Sequence, residues 1–258
     1  MDLMYLISDL NCTINDDCFN IFPRLPDNSI DLILTDPPYN TTACSWECAV
    51  DIDLLFSHYK RILKENGTIV VFGNNPFTAN VIVKNLDIYR YSCVWVKPNS
   101  TSPHLAKTQP MRRYEDIMIF YKKKNIYNPI MSEGTPYNWS GKRSGGEASR
   151  ISFKDDKKIV NSGQRYPTNV FEFPQERGLH PTQKPVSLFE YIIKLYTNEN
   201  MIVLDSFMGC GTTAISCINT GRNYVCIEKN TDIFNIANAR IASRLKTGTD
   251  YSRLDNLL

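Results

Sequence analysis

Short apolar runs alternate along this chain with stretches whose apolar residues recur at helical spacing. Residues 12–15, 30–35, 68–72, 201–204 and 223–227 read as strands, most of them too continuously apolar for one face to meet water. Between them, 18–25 reads as a short helix, and 52–64 carries Leu54, Leu55, Tyr59, Ile62 and Leu63 on a helical period that Asn66-Gly67 is expected to end. Pro76 opens a helix to residue 85, and further helices are expected over 186–196, 214–220 and 231–245. Residues 89–96 and 116–121 alternate well enough to form an antiparallel edge hairpin. Residues 129–161 show no sustained period and are expected to form a long loop or a partly disordered segment. The tail beyond Lys246 is polar and expected to fray. There is no internal repeat. Strands alternating with helices imply an α/β fold, a doubly wound and mostly parallel sheet.

Composition narrows this picture. A chain of 258 residues that is 42% hydrophobic can bury a full core. No apolar run approaches the ~20 residues that cross a bilayer, and the N-terminus has no basic region of the signal-peptide kind. The eight cysteines contain no Cys-x-x-Cys pair and read as reduced thiols of a cytoplasmic protein. Cys44, Cys48 and His58 are poorly spaced for zinc, and no metal is expected. The net charge of +2 conceals an asymmetry: residues 97–165 hold 14 Lys+Arg against 6 Asp+Glu, and the remainder hold 15 against 21. A basic middle with interspersed Tyr137, Asn138 and Trp139 suits a phosphate-contacting surface. Arg112, Arg113, Lys142, Arg143 and Arg150 are its candidate nucleic-acid contacts, although any one of them alone is more simply a solvated surface charge.

Two turns carry the chemistry. Asp36-Pro37-Pro38-Tyr39 follows the 30–35 strand. An exocyclic amino group on a flat ring is a poor nucleophile, because its lone pair is delocalised. The Asp36 carboxylate and the Pro37 carbonyl can hold its two hydrogens and draw it toward tetrahedral geometry, Pro38 stiffens the turn, and Tyr39 offers a face for an extruded base. The second turn, Asp205-Ser206-Phe207-Met208-Gly209-Cys210-Gly211-Thr212-Thr213, lies between a strand and a helix. Gly209 and Gly211 permit close backbone approach to a ligand, the helix N-terminus favours a carboxylate, and the two threonines are candidate donors. Glu228 ends the next strand, 23 positions after Asp205, a separation suited to ribose hydroxyls. Asp17, Asp36, Asp205 and Glu228 all follow expected strands and so can share one rim of the sheet.

With these motifs in this order, the chain resembles the S-adenosylmethionine-dependent DNA amino-methyltransferases of the permuted β group. There the Asp-Pro-Pro-Tyr element comes first, a target-recognition region second and the cofactor glycine loop last. His180-Pro181-Thr182-Gln183-Lys184-Pro185 is a further signature of that group. The resemblance implies a Rossmann-like methyltransferase fold with a catalytic domain over 1–97 and 179–258. It also implies an inserted recognition region over 98–178 that includes an edge strand near 116–121. It assigns the methionine part of the cofactor to Thr182, Gln183 and Lys184, and the adenine amino group to Asp17, where Asp16 replaces the family's usual Gly. Phe207 joins the cofactor set as part of the glycine loop. Asp rather than Ser at position 36 usually accompanies N6-adenine methylation. An N4-cytosine enzyme, an RNA adenine enzyme and a non-catalytic DNA-binding relative remain alternatives. Double-stranded DNA is the expected partner, in a bacterial, phage or viral setting; a homodimer and a cognate restriction endonuclease are open.

Overall fold

The computed structural model describes residues 10–39, 50–141, 157–176, 178–179 and 183–248. Strand β1 (Cys12–Asn15) leads to α1 (Cys18–Ile21) and a 3-10 turn (Phe22–Arg24). Then come β2 (Ile30–Thr35), α2 (Ile52–Ile62), β3 (Leu63–Gly73), α3 (Phe77–Lys84), β4 (Tyr89–Thr101) and β5 (Arg112–Phe120). Four short strands follow, β6 (Ser132–Glu133), β7 (Tyr137–Gly141), β8 (Lys157–Asn161) and β9 (Gln164–Arg165). The chain continues through β10 (Val170–Glu172), α4 (Val186–Tyr196), β11 (Ile202–Asp205), α5 (Thr212–Thr220), β12 (Asn223–Glu228) and α6 (Thr231–Thr247).

Eight strands form one sheet in the order β1-β12-β11-β2-β3-β5-β4-β10. All are parallel except β5, which runs antiparallel to both β3 and β4. The hairpin expected from the alternation of 89–96 and 116–121 is therefore present at that end of the sheet, with the three-residue β10 added outside it. Every residue of β2 is buried, as a central strand covered on both faces requires. Helix α2 starts where the Asp51 carboxylate caps the N–H groups of Asp53 and Leu54, and it buries Ile52, Leu55, Phe56, Tyr59 and Ile62 in the core. Each such side chain contributes roughly 1.5–3 kcal/mol of burial.

Two expectations are corrected. Helix α2 ends at Ile62, not at Asn66-Gly67, because Leu63 turns extended and pairs with Ile30. Leu63 belongs to β3, and Leu54 faces outward. Gly67 instead serves the sheet: a Cβ there would lie 2.9 Å from the Asp31 carbonyl oxygen, so glycine lets β3 close on β2. The region 129–161 is also not wholly irregular. The chain divides into two compact units, Met1–Asn128 with Asn169–Leu258, and Pro129–Thr168. The smaller unit holds two antiparallel pairs, β6 with β9 and β7 with β8. The Arg165 guanidinium sits 4.9 Å over the Tyr137 ring, and the Asn161 side chain accepts from the Gly163 N–H. Strands of two to five residues are too short to show a period. In the larger unit β5, which carries Arg112 and Arg113, is part of the main sheet.

Candidate active site

Four acids stand at the carboxyl ends of four neighbouring strands, Asp17 after β1, Glu228 ending β12, Asp205 ending β11 and Asp36 after β2. The register makes this one rim, since Asn15 pairs with Glu228, Asp205 with Cys226 and Leu204 with Ile33. Ligands of open α/β sheets bind at such a rim.

The glycine loop is built around Asp205. Its carboxylate accepts from the Phe207 N–H at 3.1 Å and from the Thr213 hydroxyl, and burial pushes its pKa up to about 7 against those bonds. The Gly209 N–H donates to Glu228 at 2.9 Å, and the Asn230 N–H donates to the other oxygen of the same carboxylate. Burial raises Glu228 despite these donors. Behind the loop, the fully buried Arg240 donates to the Cys210 carbonyl and the Thr212 hydroxyl, each at 3.2 Å. The two glycines differ. Gly209 has φ +55° and a Cβ there would meet nothing within 4 Å, so its backbone faces open space. Gly211 has φ +84°, and a Cβ there would lie 3.2 Å from Ala237 Cβ, so helix packing already requires its small size. Both threonine hydroxyls are engaged within the protein, Thr213 on Asp205 and Thr212 on the Lys184 carbonyl at 3.2 Å.

Asp17 caps α1 through the Phe19 N–H and receives Lys229 Nζ at 2.8 Å. Burial works against its charge, but Lys229 and the backbone donor prevail and hold it below the usual range. Asp16, in the place of the family's glycine, has no left-handed backbone; its carboxylate accepts from its neighbour's N–H and from Asn20. That position therefore does not need glycine. Gln183 is turned inward, accepting from the Leu179 N–H and donating to Glu176, whose carboxylate also takes the first N–H of α4. Arg112 is exposed, and Arg113 donates to the Lys97 carbonyl at 3.0 Å. Thr182, Lys142, Arg143, Arg150, Cys44 and Cys48 lie outside the described residues.

At the end of β2, Pro37 is buried and Pro38 half-buried. The Asp36 carboxylate accepts from the Tyr39 hydroxyl through one oxygen and from Lys184 Nζ through the other. The Tyr39 ring packs 5.0 Å from Phe77 at 37°. Burial, then the Asp36 and Glu115 charges, lift the Tyr39 hydroxyl well above its ordinary pKa. Lys184 thus stands against the catalytic turn. It is buried, with Glu115 3.3 Å away and the Phe72 ring 5.4 Å away. Burial opposes its charge, but Asp36 and Glu115 outweigh burial and fix it as an ammonium. Sequence reasoning missed Glu115 and Lys97, which bond each other across β4 and β5 in the buried end of this site. The available signal was a charged residue entering the apolar run of β5.

These residues fit S-adenosylmethionine. Open space at Gly209 admits a ligand against the backbone, and the Glu228 and Asp17 carboxylates end adjacent strands on the same rim. The family described as DNA methylase, the N6/N4 class, matches residues 30–239. A DNA adenine methyltransferase, YhdJ of Escherichia coli, is 29% identical over 93% of this chain and 84% of its own length. The type II methyltransferase M.HpaI of Haemophilus parainfluenzae is 30% identical over 85% of this chain and 70% of its own. Among solved structures, the M1.HpyAVI–SAM complex aligns with TM-score 0.59 at 25% identity, covering 89% of this chain and 98% of that one. The cytosine-N4-specific PvuII DNA methyltransferase shares the fold, with TM-score 0.65 at 17% identity, over 95% of this chain and 89% of that one. The fold and site define an S-adenosylmethionine-dependent amino-methyltransferase. The chain belongs to the N6/N4 DNA methylase family, and DNA is its substrate. Among the described residues, no helix is long and apolar enough to cross a membrane.

Proposed function

We propose that this enzyme methylates the N6 amino group of adenine within a specific site of double-stranded DNA. The observation that carries the reading is a carboxylate, Asp36, at the turn after β2, beside the Asp205 loop of β11. S-adenosylmethionine supplies a methyl group already activated by its sulfonium. The chain's own residues do the rest. Asp36 and the Pro37 carbonyl accept the two hydrogens of the target NH2 and aim its lone pair. Tyr39, backed by Phe77, offers a face to the extruded base, and its π-electrons favour the positive charge that builds on nitrogen. The proton leaves afterwards, to water or through Asp36.

Adenine is favoured over cytosine by Asp at position 36, and a relative named as a DNA adenine methyltransferase supports it. Relatives named as type II methyltransferases support a setting beside a cognate restriction endonuclease, in the bacterial cytoplasm. Residues 112, 113 and the Pro129–Thr168 unit are proposed to face DNA, on the basis of their charge. Nucleoside mass spectrometry of DNA treated with the enzyme tests the reading. N6-methyladenine is expected, and N4-methylcytosine alone refutes the assignment of base.

A further inference from the structure

Each oxygen of Asp36 already holds a donor, so an incoming amino group competes with a buried ammonium for the same carboxylate. One of its oxygens receives Lys184 Nζ and the other the Tyr39 hydroxyl. The carboxylate is freest to draw the amino group toward it when the ammonium turns away. Lys184 is buried, so its ammonium cannot withdraw into water, and a buried charge needs a partner wherever it goes.

A destination is present. Glu115 receives Lys97 Nζ on Oε1, while its Oε2 lies 3.3 Å from Lys184 Nζ. Among the described residues, Oε2 is the buried side-chain nitrogen or oxygen atom with no hydrogen-bond partner. The ammonium pairs with it by charge at that distance, without a well-formed hydrogen bond. A buried carboxylate oxygen without a well-formed hydrogen bond is costly, so its presence beside the catalytic turn calls for a role. We propose that Glu115 is a positioning residue, a second berth to which the Lys184 ammonium turns from Asp36 when the target amino group enters. The row Lys97–Glu115–Lys184–Asp36 contains two cations and two anions, so the turn changes no net charge in the buried space. Asp116, the next acid along β5, accepts from the Thr78 hydroxyl at 2.8 Å and does not supply that berth. The inference rests on the proposed grip of Asp36 on an NH2 group and adds how that grip becomes available.

The test measures methyl transfer from tritiated S-adenosylmethionine to unmethylated DNA, together with cofactor and DNA affinities. Transfer by the unaltered enzyme, recovered as N6-methyladenine, establishes the parent reading; the absence of transfer ends both. In Glu115→Gln the ammonium is held by Asp36 alone, so kcat should fall ~10-fold or more, while both affinities stay within about twofold, because a charge-assisted bond is roughly twice as strong as a neutral one. The variant Lys97→Met/Glu115→Gln removes one charge of each sign; it should keep the wild-type melting temperature and the same slow turnover. In a Lys184→Met background, Glu115→Gln should cost nothing further. A crystal with DNA and the analogue sinefungin should show Lys184 Nζ within about 3.2 Å of Glu115 Oε2. Wild-type kcat in Glu115→Gln, losses that multiply in the double variant, or Lys184 still on Asp36 in that crystal would each overturn the proposal.

Discussion

Replacing each glycine of the cofactor loop by alanine separates ligand contact from scaffold. At Gly209 the backbone is left-handed, φ +55°, and the added methyl meets no protein atom within 4 Å. The cost to folding is the left-handed conformation alone, about 1 kcal/mol, which in a protein of this size lowers the melting temperature by ~2–4 °C. The methyl does, however, project into the space where the ligand must approach, and a 10- to 100-fold loss of cofactor affinity, roughly 1.4–2.8 kcal/mol, is expected. Gly211→Ala meets both a left-handed backbone, φ +84°, and Ala237 Cβ at 3.2 Å. Overpacking adds about 1–3 kcal/mol there, so this variant should melt distinctly lower than Gly209→Ala. Calorimetric titration with S-adenosylmethionine and thermal denaturation of the ligand-free protein measure the two quantities. Unchanged affinity in Gly209→Ala would show that the ligand does not lie against Gly209, and a stability loss equal to that of Gly211→Ala would show that the added methyl is not in open space.

Four further outcomes are expected. Asp36→Ala should keep cofactor binding and lose methyl transfer by ~100-fold or more; turnover near wild type in a radiolabel assay contradicts the role of Asp36. Tyr39→Ala should lose most activity and Tyr39→Phe should retain part, since the ring survives and only the hydroxyl bond to Asp36 is lost; equal losses argue against stacking. Asp205 has its folded pKa raised to about 7, above its ordinary 3.8, so its favourable contribution is complete at low pH and is lost as pH rises toward and through 7. The stability gap between wild type and Asp205→Asn, from urea midpoints, should therefore narrow from pH 5 to pH 8; widening refutes the assignment. Arg112→Ala should weaken DNA binding and reduce the slope of log K against log salt by about 0.9 if it meets one phosphate; an unchanged slope removes it from the interface.

Much of the fold was legible because its strands are buried on both faces. Residues 30–35 and 201–204 read directly as apolar runs, and the acids that follow them could be placed on a rim by the parallel-sheet rule alone. Boundaries failed where tertiary pairing overrode local signals. Leu63 keeps the helical period of α2 yet pairs with Ile30, and Gly67 looks like a helix stop while it relieves contact with Asp31. In the site, motif residues were found but their bonds were not. Thr212 and Thr213 look like ligand donors, and their hydroxyls also brace the loop; Lys184 looks like a cofactor contact, and its ammonium also lies on Asp36. Glu115 and Lys97 were invisible because their pairing joins positions 18 residues apart across two strands, and neither lies in a motif.

The pairing of β1 with β12 has a consequence for synthesis. Strand β1 is made about 200 residues before β12, the strand that satisfies its ladder, and the rim shared by Asp17 and Glu228 does not exist until then. A nascent chain arrested anywhere before residue 223 therefore carries an open strand edge and lacks Glu228. Assembly from such distant contacts is slow, so the growing polypeptide is exposed to proteases and to aggregation for most of its translation.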